Sequence, residues 1–392
     1  MSGARYNTNM KQTLLIEGGL LPEDVHSASV SYLQGLFAPL VAPALLQFLQ
    51  RGQAQPGWLS DDTRDSLRCT ASEAWLAHQF SLPTYLGWQP SEGIPYAVWA
   101  NQGQAHQGLF VARCDPVHLE LGRDSLTLAD PAQLTITTAE AHALLVAIAP
   151  LLDAEHLHIE INPDRPGEWL LQGELAVQAA TLAAVVGQNI DGWFPQNTPT
   201  GSDARRWRRI LNEIQMTWHD HPVNQARSAQ GQPVINSVWL HGGTHHASTS
   251  TEETLTSHPT SPLMSPYCQI IGDHPWVHTL QTLAEPETGE EQHLILEHRL
   301  ANAHATQDWG RWQQAWPGLI EEHLVPALAL LKCGALSEFS LVLCHRTQWH
   351  QINLSRWRAK QFWRSWGWGE QRTLATLKAN LIEKPYESKN GD

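Results

Sequence analysis

The chain has 392 residues, 42% hydrophobic and 16% charged, which predicts an ample core arranged as two domains or one core with a large insertion. A net charge of −14 works against nonspecific binding to nucleic acid or to an anionic membrane. Five scattered cysteines (Cys69, Cys114, Cys268, Cys333, Cys344) form no C-x-x-C pair, so they read as reduced thiols, with neither a disulfide frame nor a cysteine zinc site.

The stretch before Leu14 is polar and lacks the charged-then-apolar pattern of a secretory signal. The longest apolar run, 35–49, contains Pro39 and Pro43 and is too short to span a bilayer, so a cytoplasmic location is expected. Thr13 to Glu17 predicts a short buried strand running into a glycine turn, and 33–49 a helical apolar pattern. Thr70 or Ser72 is the expected cap of the next helix. From about Gly93 the texture becomes α+β. Strands are expected over 108–114 and 125–129, and Thr137 with Glu140 forms a capping box opening a helix to about Leu152. The runs 156–161 and 168–172 flank Pro163 to Gly167 as a hairpin.

Asp203 to Trp218 predicts an amphipathic helix with Ile210, Leu211, Ile214 and Trp218 on one face. Its opening, Arg205 to Arg209, sets positive charge at the unfavourable end of the helix dipole; an exposed turn balanced by acidic surface is preferred there over a phosphate contact. A strand over 234–240 ends in Gly242 and Gly243, and 244–262 is a Ser/Thr/His-rich low-complexity loop, where His245 and His246 read as a solvated pair. Strand and helix segments then alternate: 269–271, 276–283, 294–297, 309–331 and 339–344. Alternation predicts an α/β fold with a mainly parallel sheet and helices on both faces. The expected division is a discontinuous core, 11–92 with 196–392, around an inserted α+β domain at 93–195. The eighteen tryptophans show no repeat period and read as packing residues.

Chemistry concentrates between His221 and Gly243. Ligands of open α/β sheets gather beyond the carboxyl ends of strands, and a strand leaving into His241-Gly-Gly would offer an imidazole and two bare amides there. Arg227 could grip a phosphate or carboxylate in a bidentate fashion. Equally, Asn224 and Asn236 could satisfy backbone groups in a turn while Arg227 pairs with an acid. Both readings stand on the residues alone.

The run H-P-V-N-x-x-R (221–227), followed by Asn236 and Trp239-Leu-His-Gly-Gly243, resembles a stretch of the archaeal-type cofactor-independent phosphoglycerate mutases. Phe110 to Asp115, Leu128 to Asp130 and Ile136 to Ala141 resemble that family's inserted substrate domain, and 269–283 the strand and helix after its glycine motif. Over most of the chain, Asp115-Pro-Val-His118, Pro199-x-Gly201-x-Asp203, Asn212 to Met216 and Phe362-Trp-Arg resemble the proteobacterial regulatory proteins of RpfE type. The resemblance implies an alkaline-phosphatase-like core. It also makes Arg113, Asp115, His118, His221, Asn224, Arg227, Asn236 and His241 candidates for ligand contact; for Asp115 a strand-end turn is the other reading.

Active mutases of that superfamily use a serine nucleophile and two divalent metals held by carboxylates and histidines. Here Glu17 stands where the first strand should end in Asp, and Ser72 is the candidate nucleophile, though a helix cap is its more ordinary role. Asp308, His345 and His350 complete a degenerate, misordered ligand set, with His304 nearby. The expectation is therefore a regulatory or ligand-binding protein with no metal or cofactor, taking a small phosphorylated or acidic metabolite or a protein partner. The alternative is an active phosphoglycerate mutase or phosphatase carrying Mn or Zn. A partner-binding scaffold built on the tryptophans is a third reading.

Overall fold

The structure, a computed structural model, describes residues 10–58, 68–80, 110–122, 125–175, 177–197, 202–245, 263–274, 277, 280–281, 284–286, 291–361 and 370–382. The expected loop beyond His245, the start of the expected inserted domain (93–109), Pro199 to Gly201, most of the helix expected over 276–283 and Phe362-Trp-Arg lie outside these residues.

The amino-terminal part contributes β1 (Lys11–Ile16), α1 (Val30–Phe37), α2 (Pro43–Arg51), β2 (Gln53–Trp58) and α3 (Ala71–Gln79). The middle supplies β3 (Phe110–Val117), α4 (Thr138–Ala154), β4 (Leu157–Ile161), β5 (Trp169–Gly173), α5 (Ala204–His219), α6 (Pro222–Ala229) and β6 (Ser237–His245). Then come β7 (Gln269–Gly272), β8 (Gln292–Glu297), α7 (Ala301–Ala305), α8 (Trp309–Leu319), α9 (Val325–Cys333), β9 (Glu338–Cys344), β10 (Gln348–Ser355), α10 (Arg356–Ala359) and α11 (Glu370–Leu381).

One compact unit takes the described residues of 10–58, 71–80 and 263–382. Its sheet runs β7-β8-β1-β9-β10-β2; β7, β8, β1 and β9 are parallel, and at one edge β10 runs antiparallel to both β9 and β2. Leu14, Leu15 and Ile16 are buried in succession, as are Leu341, Val342, Leu343 and Cys344. Consecutive burial means that both faces of the sheet's centre are covered, the signature of a parallel sheet in an α/β protein. The expected α/β class with a mainly parallel sheet is therefore present. Phe37, Leu45, Phe48, Trp312 and Trp316 pack in the same core, Trp312 edge-on to Trp316 at 5.5 Å. The helix expected over 309–331 forms as α8 and α9 joined through a single π-turn at Ile320–Leu324, just past Pro317. Among the described residues no single helix is long and apolar enough to cross a membrane. The pair Val30–Leu40 and Pro43–Arg51 is bent by 108° and buries its leucines and phenylalanines in the core.

The second unit takes the described residues of 68–70 and 110–245. Its antiparallel sheet runs β6-β3-β5-β4, and α4 and α5 share its core with Trp169, Trp207 and Trp218. Thr137 and Glu140 close the expected capping box at the start of α4. Glu155 takes Arg206 and Arg209 in ion pairs, two of the four arginines at the start of α5.

Two expectations are corrected here. The chain does not rejoin the core at 196. β6 pairs antiparallel along β3, so α5, α6 and β6 belong to the second unit, and the return comes only by Leu263. The strand also runs through Gly242 and Gly243 instead of ending before them. Its register shifts between His241 and Thr244, Gly242 has φ +62°, and a Cβ on Gly243 would sit 2.2 Å from the Phe110 ring. Those glycines serve a β-bulge and a close ring contact.

Candidate metal centre

The carboxyl ends of β7, β8, β1 and β9 lie along one edge of the core sheet. Ile16 is in register with Glu297, and the Glu17 N–H donates to the Glu297 carbonyl at 3.0 Å, so Glu17 and His298 leave neighbouring strands side by side. His274 follows β7, the next strand over. The adjoining Asp273 carboxylate accepts the His298 N–H at 2.8 Å and fixes that turn.

Glu17 gathers the group. Its Oε2 sits 2.9 Å from His274 Nε2 and 2.8 Å from His298 Nδ1, and its Oε1 accepts from Ser72 Oγ at 3.1 Å. The two imidazoles stand edge-on with centroids 5.0 Å apart. One ligand atom from each of Glu17, His274 and His298 lies within 4.8 Å of the others. Ligands about 2.0–2.2 Å from a common cation fit inside that spread once the imidazoles ease off their hydrogen bonds. Two histidines and a carboxylate suit Zn or Mn better than the hard, all-oxygen cages of calcium.

The turn after β1 makes the arrangement possible. Gly18 has φ +72°, and a Cβ there would meet the His304 Cβ at 2.8 Å and the Leu300 carbonyl at 2.9 Å. Its own carbonyl accepts from Trp312 Nε1 at 2.7 Å. Ser72 arrives from the other side, in the first turn of α3, and the Ala71 N–H donates to the Arg346 carbonyl at 2.9 Å just beyond β9. The helix starts at Ala71, so Thr70 precedes it, and Ser72 turns its hydroxyl to Glu17.

Burial alone pushes the Glu17 carboxyl up, but the hydrogen bonds from His274 and His298 outweigh it and hold the group well below the usual carboxylate range. Beside it, burial and then the charges of His345 and Arg346 depress His304 to about 3, so this imidazole is neutral. His304 stacks edge-on between His345, at 4.8 Å, and Trp309, at 5.7 Å. Its buried Nε2 has no hydrogen-bond partner among the described residues, which marks a polar corner next to the cluster. Burial, reinforced by Glu17, pushes the Cys344 thiol up and removes it as a thiolate ligand.

Of the four residues in the degenerate ligand set, Glu17 sits in the cluster and His345 borders it through His304. Asp308 caps α8, accepting from the Arg311 N–H at 3.0 Å, and His350 Nδ1 lies 3.1 Å from the Asn380 carbonyl. Neither contact joins these two to Glu17.

The seam from His221 to Gly243 lies in the second unit, and its polar atoms are turned to the chain itself. Asn224 accepts from Ile235 N–H at 2.8 Å and donates to the Trp218 and Ile235 carbonyls; Asn236 clasps Leu119 by both N–H and carbonyl. Arg227 donates to the Pro233 and Thr135 carbonyls and to Glu140, at 2.7–2.9 Å. His221 caps α6 by accepting from Val223 N–H at 3.3 Å, and His118 Nδ1 lies 2.8 Å from the Val234 carbonyl. Asp115 takes Arg113 at 3.0 and 2.7 Å, Trp169 N–H at 2.9 Å and His241 at 2.9 Å, while Arg113 also reaches Glu168 at 3.2 Å. Of the two readings left open by the residues, these contacts are those of the backbone-satisfying one.

His274 and His298 are the residues that sequence reasoning missed. Each follows a short apolar run, 269–272 and 294–297, at the strand edge where ligands gather, and that rule applied to every strand would have found them.

No family model matches the chain, and no curated protein matches it. Among solved structures it is similar to a cofactor-independent phosphoglycerate mutase from Thermoplasma acidophilum DSM 1728, at 14% identity over 88% of this chain and 90% of that one, with a TM-score of 0.37. It is also similar to the PH0037 protein of Pyrococcus horikoshii, at 12% identity over 88% of each chain, with a TM-score of 0.41.

Proposed function

We propose that this chain is a divalent-cation-dependent phosphate-ester enzyme, with Glu17, His274 and His298 as cation ligands and Ser72 as the nucleophile. The observation that carries the reading is the convergence of a serine hydroxyl and two imidazoles on one carboxylate at the carboxyl edge of a parallel sheet. The sequence resemblance to the mutases adds the substrate class, a small phosphorylated acid such as phosphoglycerate. It is the metal-bearing alternative, not the metal-free one, that this geometry favours.

In the step proposed, the Ser72 Oγ–P bond forms as the ester P–O bond breaks, and the proton that the Ser72 hydroxyl gives up is passed to the departing oxygen, which leaves as an alcohol. Glu17 Oε1 orients the Ser72 hydroxyl through the 3.1 Å hydrogen bond. A carboxylate held this acidic is a poor acceptor for the whole proton, so orientation is its role. A bound divalent cation would supply the rest, lowering the serine pKa and screening charge on the phosphoryl group. The phosphoryl group then passes from Ser72 to a second hydroxyl (mutase) or to water (phosphatase).

A ligand-binding protein without turnover is the second reading, and the complete burial of Ser72 is what favours it. Incubation with 32P-labelled phosphoglycerate and Mn²⁺, then acid quench and peptide mapping, separates the two. Label on Ser72 that disappears in Ser72→Ala is the expected result. A metal-loaded wild-type chain that takes up no label excludes the enzyme.

A further inference from the structure

We infer that the core unit carries a second anion site, for a small phosphorylated molecule, at the sheet edge opposite Glu17. A cavity of about 430 Å³ opens there, lined by Gln47, Arg51, Lys332, Ala359 and Lys360. Such a volume suits a small molecule. Arg51, Lys332 and Lys360 line it, and Arg356 and Arg358 lie on α10, the short helix that ends at Ala359 in the lining, in a protein of net charge −14. Arg51 is 4% exposed, and its Nη1 donates to the Ala359 carbonyl at 2.8 Å; Arg358 Nη1 donates to the Arg51 carbonyl at 3.4 Å. Lys332, Arg356 and Lys360 are exposed, and with Arg358 they make no ion pair among the described residues.

Helix ends explain part of this charge but not all of it. α2, α9 and α10 finish at Arg51, Cys333 and Ala359, and cations favour helix carboxyl termini. Each terminus carries at most roughly half a negative charge, about one and a half in all, against the four full charges of Lys332, Arg356, Arg358 and Lys360, and that surplus attracts an anion. A polynucleotide would face the chain's overall negative field, whereas a small phosphate or diphosphate needs only the cavity.

The site is separate from the metal centre. Ser355, which leads into α10, pairs with Glu338 at the start of β9, while His345 leaves the far end of that strand. Seven residues of strand place the two edges about 20 Å apart. The inference therefore stands whether or not Glu17 binds a cation.

Isothermal titration of the full chain with inorganic pyrophosphate, in EDTA so that the metal centre is silent, tests it. One saturable site is expected, weakened at least about tenfold in the Lys332→Glu/Lys360→Glu double variant and unchanged in Glu17→Gln. Both lysines are exposed, and an unchanged Tm confirms that the double variant folds. Absence of saturable heat, equal affinity in the double variant, or loss of binding in Glu17→Gln would overturn the site.

Discussion

Glu17 divides its two oxygens between different partners, one taking both imidazoles and the other the Ser72 hydroxyl. Asp115, in the other unit, does the comparable thing with a structural outcome, since Arg113, His241 and the Trp169 N–H saturate it. Burial alone pushes the Asp115 carboxyl up, but the charge of Arg113 and the hydrogen bonds from His241 and Trp169 bring it below its ordinary value. A depressed folded-state pKa stabilises the fold above the unfolded value, about 3.9, and that contribution drains away as pH falls through the folded value. Asp115→Asn removes the buried carboxylate that holds Arg113, His241 and the Trp169 N–H together and is expected to cost about 3–5 kcal/mol at neutral pH. Thermal melts at several pH values check this. The gap in Tm between the two chains should narrow below about pH 4, and a constant gap would assign the loss to packing instead.

At the scale of elements, the turn between β1 and α1 is where the geometry is least forgiving. Gly18→Ala would force a Cβ against His304 and the Leu300 carbonyl at a positive φ. A cost of about 2 kcal/mol or more is expected, read as a lower urea midpoint with an unchanged m-value. Elements of this kind were legible in the sequence where the signal was local: consecutive apolar residues for β1 and β9, a capping box for α4, a 3.6-residue stripe for α5. The run through Gly242 and Gly243 was not, because a bulge depends on the partner strand and on the Phe110 ring. The cluster on Glu17 was half legible. Glu17 and Ser72 stood out against a known pattern, but His274 and His298 lie some 260 and 280 residues away from Glu17 along the chain, and only strand order unites them. The seam at 221–243 was ambiguous for the opposite reason. Asn, Arg and His near a strand edge look alike whether they hold a ligand or the backbone, and only their hydrogen bonds tell.

At the scale of the whole molecule, polar side chains serve each unit differently. In the second unit the arginine, asparagine and histidine residues of the seam bind helix to strand within one core. In the core unit two opposite sheet edges carry opposite chemistry, a carboxylate with imidazoles at one and a cluster of cations at the other. The proposed chemistry depends on the first of these edges. The most direct measurement is divalent-metal content by mass spectrometry after loading with Zn²⁺ or Mn²⁺ and gel filtration, on the wild-type chain, Glu17→Gln and His274→Ala. One equivalent retained by the wild type and lost from both variants is the expected result; no retained metal, or the same content in all three chains, would contradict a centre built on Glu17.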